Sequence, residues 1–421
     1  WAKSYDLPIT QFYAITVDPQ LPHRIYGGTQ DNSTPRTLTG ALDDWDVLIG
    51  GDGFTVLVDP VDSDVIYGEY QYGGLSKSTN GFNFSLIFYG GNDARVNWHM
   101  PFVMAPDDRF TLYAGTYRVH RTTNGGSSWT PISPDLTDGP GGGNLTFGTL
   151  TSLAVAPSDP STIYTGADDG SVWVTTNGGS GWSNVEAGLP TRWVTRVAVD
   201  PVDDAIAYVT LSGYREDHFL PHVFRSTNHG ASWTDISGNL PQAPVNDLVV
   251  DPVDTDRLFV ATDVGVYVTH DLGGTWGEIG AGLPLSVVVD LELHQPTRTL
   301  VAGTHGRSAF TLDLDAGLGD VGAPDLASAT GPALEPPVPN PSAAESRLAF
   351  ALPRSASARL TIHDVTGRRV RTLLDGEVPA GRTARAWDGR DGSGRAVAAG
   401  VYFARLEALG EVRTVKISRL R

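Results

Sequence analysis

Cysteine is absent from the 421 residues, which excludes disulfides and Cys-ligated zinc and leaves a secreted bacterial protein as acceptable as a cytosolic one. No apolar run is long enough to cross a membrane as a helix. Lysine is nearly absent too: Lys3, Lys77 and Lys416 are three among 30 basic residues. Positive charge is scarce through most of the chain. Residues 1–339 hold 15 Lys and Arg against 40 Asp and Glu, a balance that repels nucleic acid and anionic membranes, whereas residues 340–421 hold 15 against 8. Only that small tail is able to attract polyanions. The sequence opens on Trp1 with no signal peptide, so the chain is expected to be processed or cut from a longer one.

What is plentiful is turn chemistry, with 49 Gly and 28 Pro. The phrase TTNGGSSW (122–129) returns as TTNGGSGW (175–182), STNHGASW (226–233) and THDLGGTW (269–276), with a weaker copy, STNGFNF, ending at Phe84. Asn80, Asn124, Asn177, Asn228 and Asp271 have short side chains that accept hydrogen bonds from amides just ahead of them. Gly126, Gly179, Gly230 and Gly273 can take positive φ. The closing Trp129, Trp182, Trp233 and Trp276 then anchor the next strand in a core. This pattern resembles the Asp-box (BNR) repeat of sialidases, sortilin-type receptors and tandem-propeller xyloglucanases. The resemblance implies β-propeller blades, with the box between the two outer strands and away from any ligand.

The repeat is wider than the phrase. Each unit starts with an apolar strand ending in Asp-Pro or Ala-Pro (AITVDP, TVLVDP, PFVMAP, SLAVAP, RVAVDP, DLVVDP, and the divergent VDLELHQP), then a second strand such as RIYGGT or TIYTGA. The second strands recur seven times at intervals of 41 to 51 residues. That period suits blades of four strands, with a solenoid as the rival. The fold class expected is all-β: a seven-bladed β-propeller over residues 1–314, followed by a small immunoglobulin-like β-sandwich. Residues 1–8, WAKSYDLP, read like the fourth strand of another unit and are expected to close blade seven; the alternative is that Trp1 belongs to a preceding unit of a longer protein.

Residues 315–339 are rich in Gly, Ala and Pro and read as a linker. Residues 340–421 alternate like strands of a small sandwich. Asn340-Pro341, Asp364 with Gly367, the W-D-G-x-D-x-x-G run at 387–394 and Gly400-Val401-Tyr402 resemble the immunoglobulin-like domain of flagellar hook-capping proteins and the C-terminal sorting domains of type IX secretion cargo. The resemblance implies export and surface attachment or assembly, hence a secreted or cell-surface bacterial protein.

Propeller ligands gather where the loops from second to third strands and from one blade to the next ring the channel. From those loops the candidate ligand-binding residues are Gln30, Tyr70, Tyr72, Trp98, Tyr117, Arg118, Asp168, Trp193, Tyr214, Arg215, His305 and Arg307, a mixture suited to sugars or peptides. A glycosidase needs two carboxylates across the scissile bond. Asp31, Asp52 and Glu69 are the candidates, although Asp beside Gly is commonly a plain turn residue. The arginine triad and Tyr nucleophile of sialidases come with an F/Y-R-I-P phrase that does not occur here.

No cofactor is expected. Ca²⁺ is the one metal considered, because DPVDSD (59–64), DPVDDA (200–205) and DPVDTD (251–256) crowd oxygen ligands, but Asp capping its own turn explains the same pattern. The leading expectation is recognition of an extracellular glycan or protein without catalysis. The alternatives are a xyloglucanase-like glycoside hydrolase and a structural subunit in which the basic tail of one copy meets the acidic propeller of another. No nucleic-acid partner and no membrane span are expected.

Overall fold

The computed structural model describes residues 10–419 apart from 42–43, 142–145, 281, 316–331, 335–336, 338–341, 343–344, 353, 366 and 380. Two compact units divide the chain at residues 316 and 317. Among the described residues there is no α-helix, only strands and three single 3₁₀ turns.

The first unit holds seven antiparallel sheets, each laid down in chain order from an innermost strand outward. The innermost strands are Phe12–Val17, Gly53–Val58, Phe102–Met104, Leu150–Val155, Trp193–Val199, Val245–Val250 and Val288–His294. Six sheets have four strands, and the seventh has three, Val288–His294, Thr299–Thr304 and Ala309–Asp313. Residues 1–8, expected to add its fourth strand, lie outside the described residues. Each innermost strand packs beside that of the next blade, and Val288–His294 packs beside Phe12–Val17, so the ring closes. At that seam the Ile15 amide donates to the Asp290 carboxylate at 2.8 Å, and the Gly306 and Ser308 amides both donate to the Thr10 carbonyl. The molecule is all-β, a seven-bladed propeller followed by an immunoglobulin-like sandwich.

Burial explains the repeated second strand. Its aromatic position is filled by Tyr26, Tyr67, Tyr113, Tyr164, Tyr208 and Phe259, all buried. A flat ring suits the interface between two twisted sheets because it covers much area with few rotamers to freeze.

The repeated phrase forms one turn geometry. In the third blade the Thr122 hydroxyl donates to Asn124 Oδ1 at 2.8 Å, Oδ1 accepts the Ser128 amide at 3.0 Å, and the Gly126 amide donates to the Thr122 hydroxyl at 3.1 Å. The next three blades repeat this arrangement with Asn177, Asn228 and Asp271. Gly126 and Gly179 sit at φ 93° and 91°, where a Cβ would also strike Ile87 and Ile132 of the preceding blade. Each turn hydrogen-bonds to the turn between the first and second strands of its own blade, as Gly125 N to Phe110 O and Gly178 N to Ser161 O. Both therefore lie at the end of the ring opposite the loops that join second to third strands.

The tryptophans correct the sequence expectation. Only Trp276 is buried, whereas Trp129, Trp182 and Trp233 are half-buried. They act between blades: Trp182, Trp233 and Trp276 donate their indole N–H to the carbonyls of Ile132, Val185 and Ile236 on the preceding blade, at 3.0, 2.7 and 2.9 Å. Trp182→Ala removes ring area and a hydrogen bond at one seam, and is expected to cost about 2–4 kcal/mol. Urea titration of the variant checks this, and a loss below about 0.5 kcal/mol contradicts the stapling role.

The Asp-Pro turns cap themselves. Asp59 Oδ1 accepts the Val61 and Asp62 amides, and Asp200 Oδ1 the Val202 and Asp203 amides. Asp251 accepts the Val253 amide and pairs with Arg298 and Arg257. These contacts account for the first Asp of each turn without a bound ion.

The second unit is a sandwich of two sheets, one ordered Ala333–Leu334, Ser346–Leu352, Gly381–Trp387, the other Arg369–Val378, Ala356–Asp364, Gly400–Ala408, Glu411–Arg419. Ala333–Leu334 falls in the stretch read as linker yet pairs with Phe350 and Ala351. Alternation places Leu348, Phe350, Leu360, Ile362, Ala404 and Leu406 in the core with Trp387, whose ring meets Tyr402 edge-on at 5.1 Å. Asp364 and Gly367 close a hairpin. Asn340-Pro341 lies outside the described residues.

Candidate functional site at the channel mouth

The innermost strands of all seven blades enclose a central channel of about 1080 Å³. At one end the loops between second and third strands and the crossings between blades surround its mouth. There Tyr13 stacks on Phe54 at 4.9 Å, Trp98 meets Phe54 edge-on at 5.9 Å and Tyr72 meets Trp98 edge-on at 4.9 Å. His305 lies 5.9 Å from Tyr13 and His99 stacks on Phe54 at 5.0 Å. Phe54 is fully buried, while Trp98 and Tyr72 are 39% and 47% exposed, so a rigid aromatic base carries two partly exposed rings set edge-to-face. Tyr72 is held at φ 57°, left-handed backbone that a bulky residue rarely adopts, with its amide donating to the Trp98 carbonyl.

Across the mouth Arg215 lies 3.9 Å above the Trp193 ring and 5.9 Å from that of Phe147. Burial lowers the Arg215 pKa, partly offset by Asp168 and Glu216. Phe147 is exposed and faces Tyr72, Tyr89, Arg95 and Thr149 around a side cleft of about 370 Å³. Tyr214 is 62% exposed at the tip of the blade-five hairpin.

The carboxylates are placed differently from one another. Asp31 is exposed at φ 58°, and its amide donates to Asp52 Oδ1 at 2.9 Å. Asp52 is nearly buried; after burial, its carboxylate is the largest cause of the raised Tyr13 pKa. Glu69 has no exposed surface, accepts the Met100 amide at 2.8 Å, and leaves its second oxygen 3.8 Å from His99 Nε2. Burial pushes Glu69 well above the usual carboxylate range and lowers His99 to about 4, which leaves the imidazole neutral at pH 7. As a catalytic candidate Glu69 is thus sealed from any substrate. Asp168, also buried, accepts the Phe147 and Thr149 amides and holds the Phe147 loop instead of facing the mouth.

The remaining candidates divide. Trp98, Tyr72, Trp193, Arg215, Tyr214 and His305 gather at the mouth. Gln30 is half-buried, its amide donating to Gln11 O; Tyr70 packs over Gly74; Arg307 is exposed. Arg118 and Tyr117 belong to another cluster, in which Arg118 donates two hydrogen bonds to Asp93, His120 and the Thr116 hydroxyl reach the same carboxylate, and Tyr117 lies under Arg95 and Arg118. These donors outweigh burial and bring Asp93 down to about 2. Tyr13, Phe54, Phe147 and His99 were not among the expected site residues. Tyr13 and Phe54 sit on innermost strands and could have been found from the alternation that turns every second residue to the channel.

Among the described residues no group of three or more His, Asp or Glu side chains is arranged to hold a metal ion. Among the described residues no helix is long and apolar enough to cross a membrane.

Residues 340–411 match the FlgD Ig-like domain model. A xyloglucanase from a Paenibacillus species is 24% identical over 346 residues, covering 62% of this chain and 33% of the relative, so the chain spans about a third of that protein's length. The crystal structure of the xyloglucanase of glycoside hydrolase family 74 from Xanthomonas campestris superposes with a TM-score of 0.59 at 19% identity, over 83% of this chain and 59% of the other. PorZ, a surface component of the type IX secretion system of Porphyromonas gingivalis, superposes with a TM-score of 0.52 at 16% identity, over 98% of this chain and 59% of the other. At these identities the superpositions establish a shared propeller fold.

Proposed function

We propose that the chain is a secreted or cell-surface module that recognises extracellular glycan at the channel mouth, its repeated turns being Asp boxes and its C-terminal domain serving export, attachment or assembly. The observation that carries this reading is the pair of partly exposed rings, Trp98 and Tyr72, fixed on a buried aromatic base beside the cleft of about 370 Å³. Sugars present an apolar ring face with hydroxyls around it. Exposed aromatic rings with polar groups around them match both parts. The likeness to a xyloglucanase supports a glycan as ligand, and PorZ and the FlgD Ig-like match support a surface location.

Hydrolysis is the second reading, favoured by the xyloglucanase match and by the adjacency of Asp31 and Asp52. A hydrolase needs one carboxyl protonated and within reach of the glycosidic oxygen. Glu69, the candidate whose carboxyl burial biases toward the protonated form, is enclosed.

The test is incubation with immobilised polysaccharides, xyloglucan among them, and with sialosides, reading retention and reducing-end release together. Retention without release, weakened about tenfold or more by Trp98→Ala, is the expected outcome. Release that vanishes in Asp31→Asn or Asp52→Asn establishes the hydrolase instead, and neither retention nor release overturns both readings.

A further inference from the structure

The face opposite the channel mouth is built from the turns between first and second strands. All seven close on the same backbone hydrogen bond, from Arg24 N to Leu21 O through Ile206 N to Asp203 O to Arg298 N to Gln295 O. Three are DPVD turns, and the valine of each stands free: Val61, Val202 and Val253 are 66%, 67% and 66% exposed. The same position in three blades exposing the same apolar side chain is not required by the turn, whose hydrogen bonds come from Asp and the backbone. Exposed aspartates surround these valines, among them Asp62, Asp64, Asp107, Asp203 and Asp256. Arg24, Arg109, Arg257 and Arg298 do not offset them, because each pairs with a turn aspartate, whereas Arg36, Lys77 and Arg121 reach carbonyls of the repeated turns behind them.

In the C-terminal domain, positive charge collects at one end of the sandwich. The hairpin turn at 364–369 and the loop at 388–399 are joined there. Gly392 N donates to Val370 O at 3.0 Å, and Arg371 donates to Asp388 at 2.5 Å. Arg368, Arg369, Arg390 and Arg395 are exposed on these two loops. Arg368 pairs with Asp364, and Arg395 lies beside Asp391, whose oxygens hold the turn. Arg369 and Arg390 form no ion pair among the described residues.

We propose that the arginine end of the C-terminal domain, centred on Arg369 and Arg390, docks on the valine and aspartate face of the propeller of a second copy of this chain. The two surfaces are complementary in charge, and the valines supply the apolar contact that charge alone lacks. A head-to-tail contact between unlike surfaces repeats from copy to copy, giving a ring or a filament. It leaves the channel mouth, at the other end of the ring, open to ligand.

Sedimentation velocity of the full chain across a salt series tests the contact. Self-association at 50 mM salt that weakens about tenfold or more by 300 mM is expected, because exposed charges are screened over that range. Arg369→Glu with Arg390→Glu, and separately Asp64→Lys with Asp107→Lys and Asp256→Lys, should each give monomers with unchanged thermal unfolding. Mixing the two variants should restore association, since the reversed charges again match. A parent chain that is monomeric at low salt overturns the proposal, including one whose hydrodynamic radius alone changes with salt, which indicates docking within one copy. Association that survives the arginine reversals, or a mixture that stays monomeric, overturns it as well.

Discussion

Replacing Arg196 by Ala is expected to destabilise the propeller by about 2–4 kcal/mol, although Arg196 touches the channel and no other part of the candidate site. Its guanidinium reaches from the fifth blade to Asp247 on the sixth and Asp290 on the seventh. The second oxygen of Asp247 accepts the Leu291 amide at 2.7 Å, and that of Asp290 accepts the Ile15 amide at 2.8 Å. One cation thus ties blades five, six, seven and one, across the seam where the ring closes. Burial alone would lower the Arg196 pKa, but the two aspartates outweigh it and keep the guanidinium charged.

Removing the cation leaves two carboxylates facing each other with no counter-charge, the costly way to break a buried pair. The upper end of the general range for such losses is discounted here because the Arg196 side chain is 37% exposed to channel water. Two further variants separate the pair from the packing of the long side chain. Asp290→Asn should cost less, since the amide still accepts the Ile15 N–H. Arg196→Met combined with Asp247→Asn and Asp290→Asn should recover part of the loss, because no charge remains unpaired. Urea titration at fixed pH gives each value. A single-site loss under about 0.5 kcal/mol means that the seam is held by something else.

How far the sequence reaches is clear from comparing this clasp with the Asn-Gly-Gly-Trp phrase. The phrase is legible because its contacts are local: Asn124, Thr122, Gly126 and Ser128 hydrogen-bond to one another within a few residues, and the same spacing recurs in each blade. The seven blades and the sandwich were legible for that reason, together with strand alternation. Arg196, Asp247 and Asp290 stand 51 and 94 residues apart, each one polar residue in an apolar strand, and no local pattern joins them. The site behaves in the same way. Trp98, Trp193 and Arg215 were found as loop residues, whereas which loop residues reach the mouth depends on how seven strands tilt around a channel. Glu69 reads in sequence like any loop-end carboxylate, and only its enclosure under Met100 and His99 sets it apart. Trp182 shows the converse: a large ring in a repeat predicts burial, but a ring at a seam between blades is covered on one side only.

Glu292 makes the stability of the propeller depend on pH in the direction opposite to that of most carboxylates. It projects from Val288–His294 into the channel, where burial raises its pKa to about 8; the Val17 backbone and Arg196 pull it down, and Asp247 pushes it up. Unfolded, the same carboxyl titrates near 4.5. Between those values the folded chain holds a proton that the unfolded chain has released. Folding stability from this group therefore falls as pH rises from about 4.5 to about 8 and is level above that. Arg196 stays charged throughout, and His99, lowered from 6.5 to about 4, adds stability as pH rises between those values, a contribution common to parent and variant that cancels in their comparison. A shift of this size corresponds to about 5 kcal/mol at most, and water in the channel reduces it to an expected 2–3 kcal/mol. Glu292→Gln cannot ionise, so the variant should be more stable than the parent at pH 8.5 and nearly equal to it at pH 5. Below about pH 4 both should lose stability together, as Asp93 and Asp251, held low by their arginine partners, take up protons. Urea midpoints measured for both proteins from pH 5 to 8.5 decide the matter: converging curves establish a protonated Glu292 in the folded channel, and parallel curves show that it is ionised and solvated there.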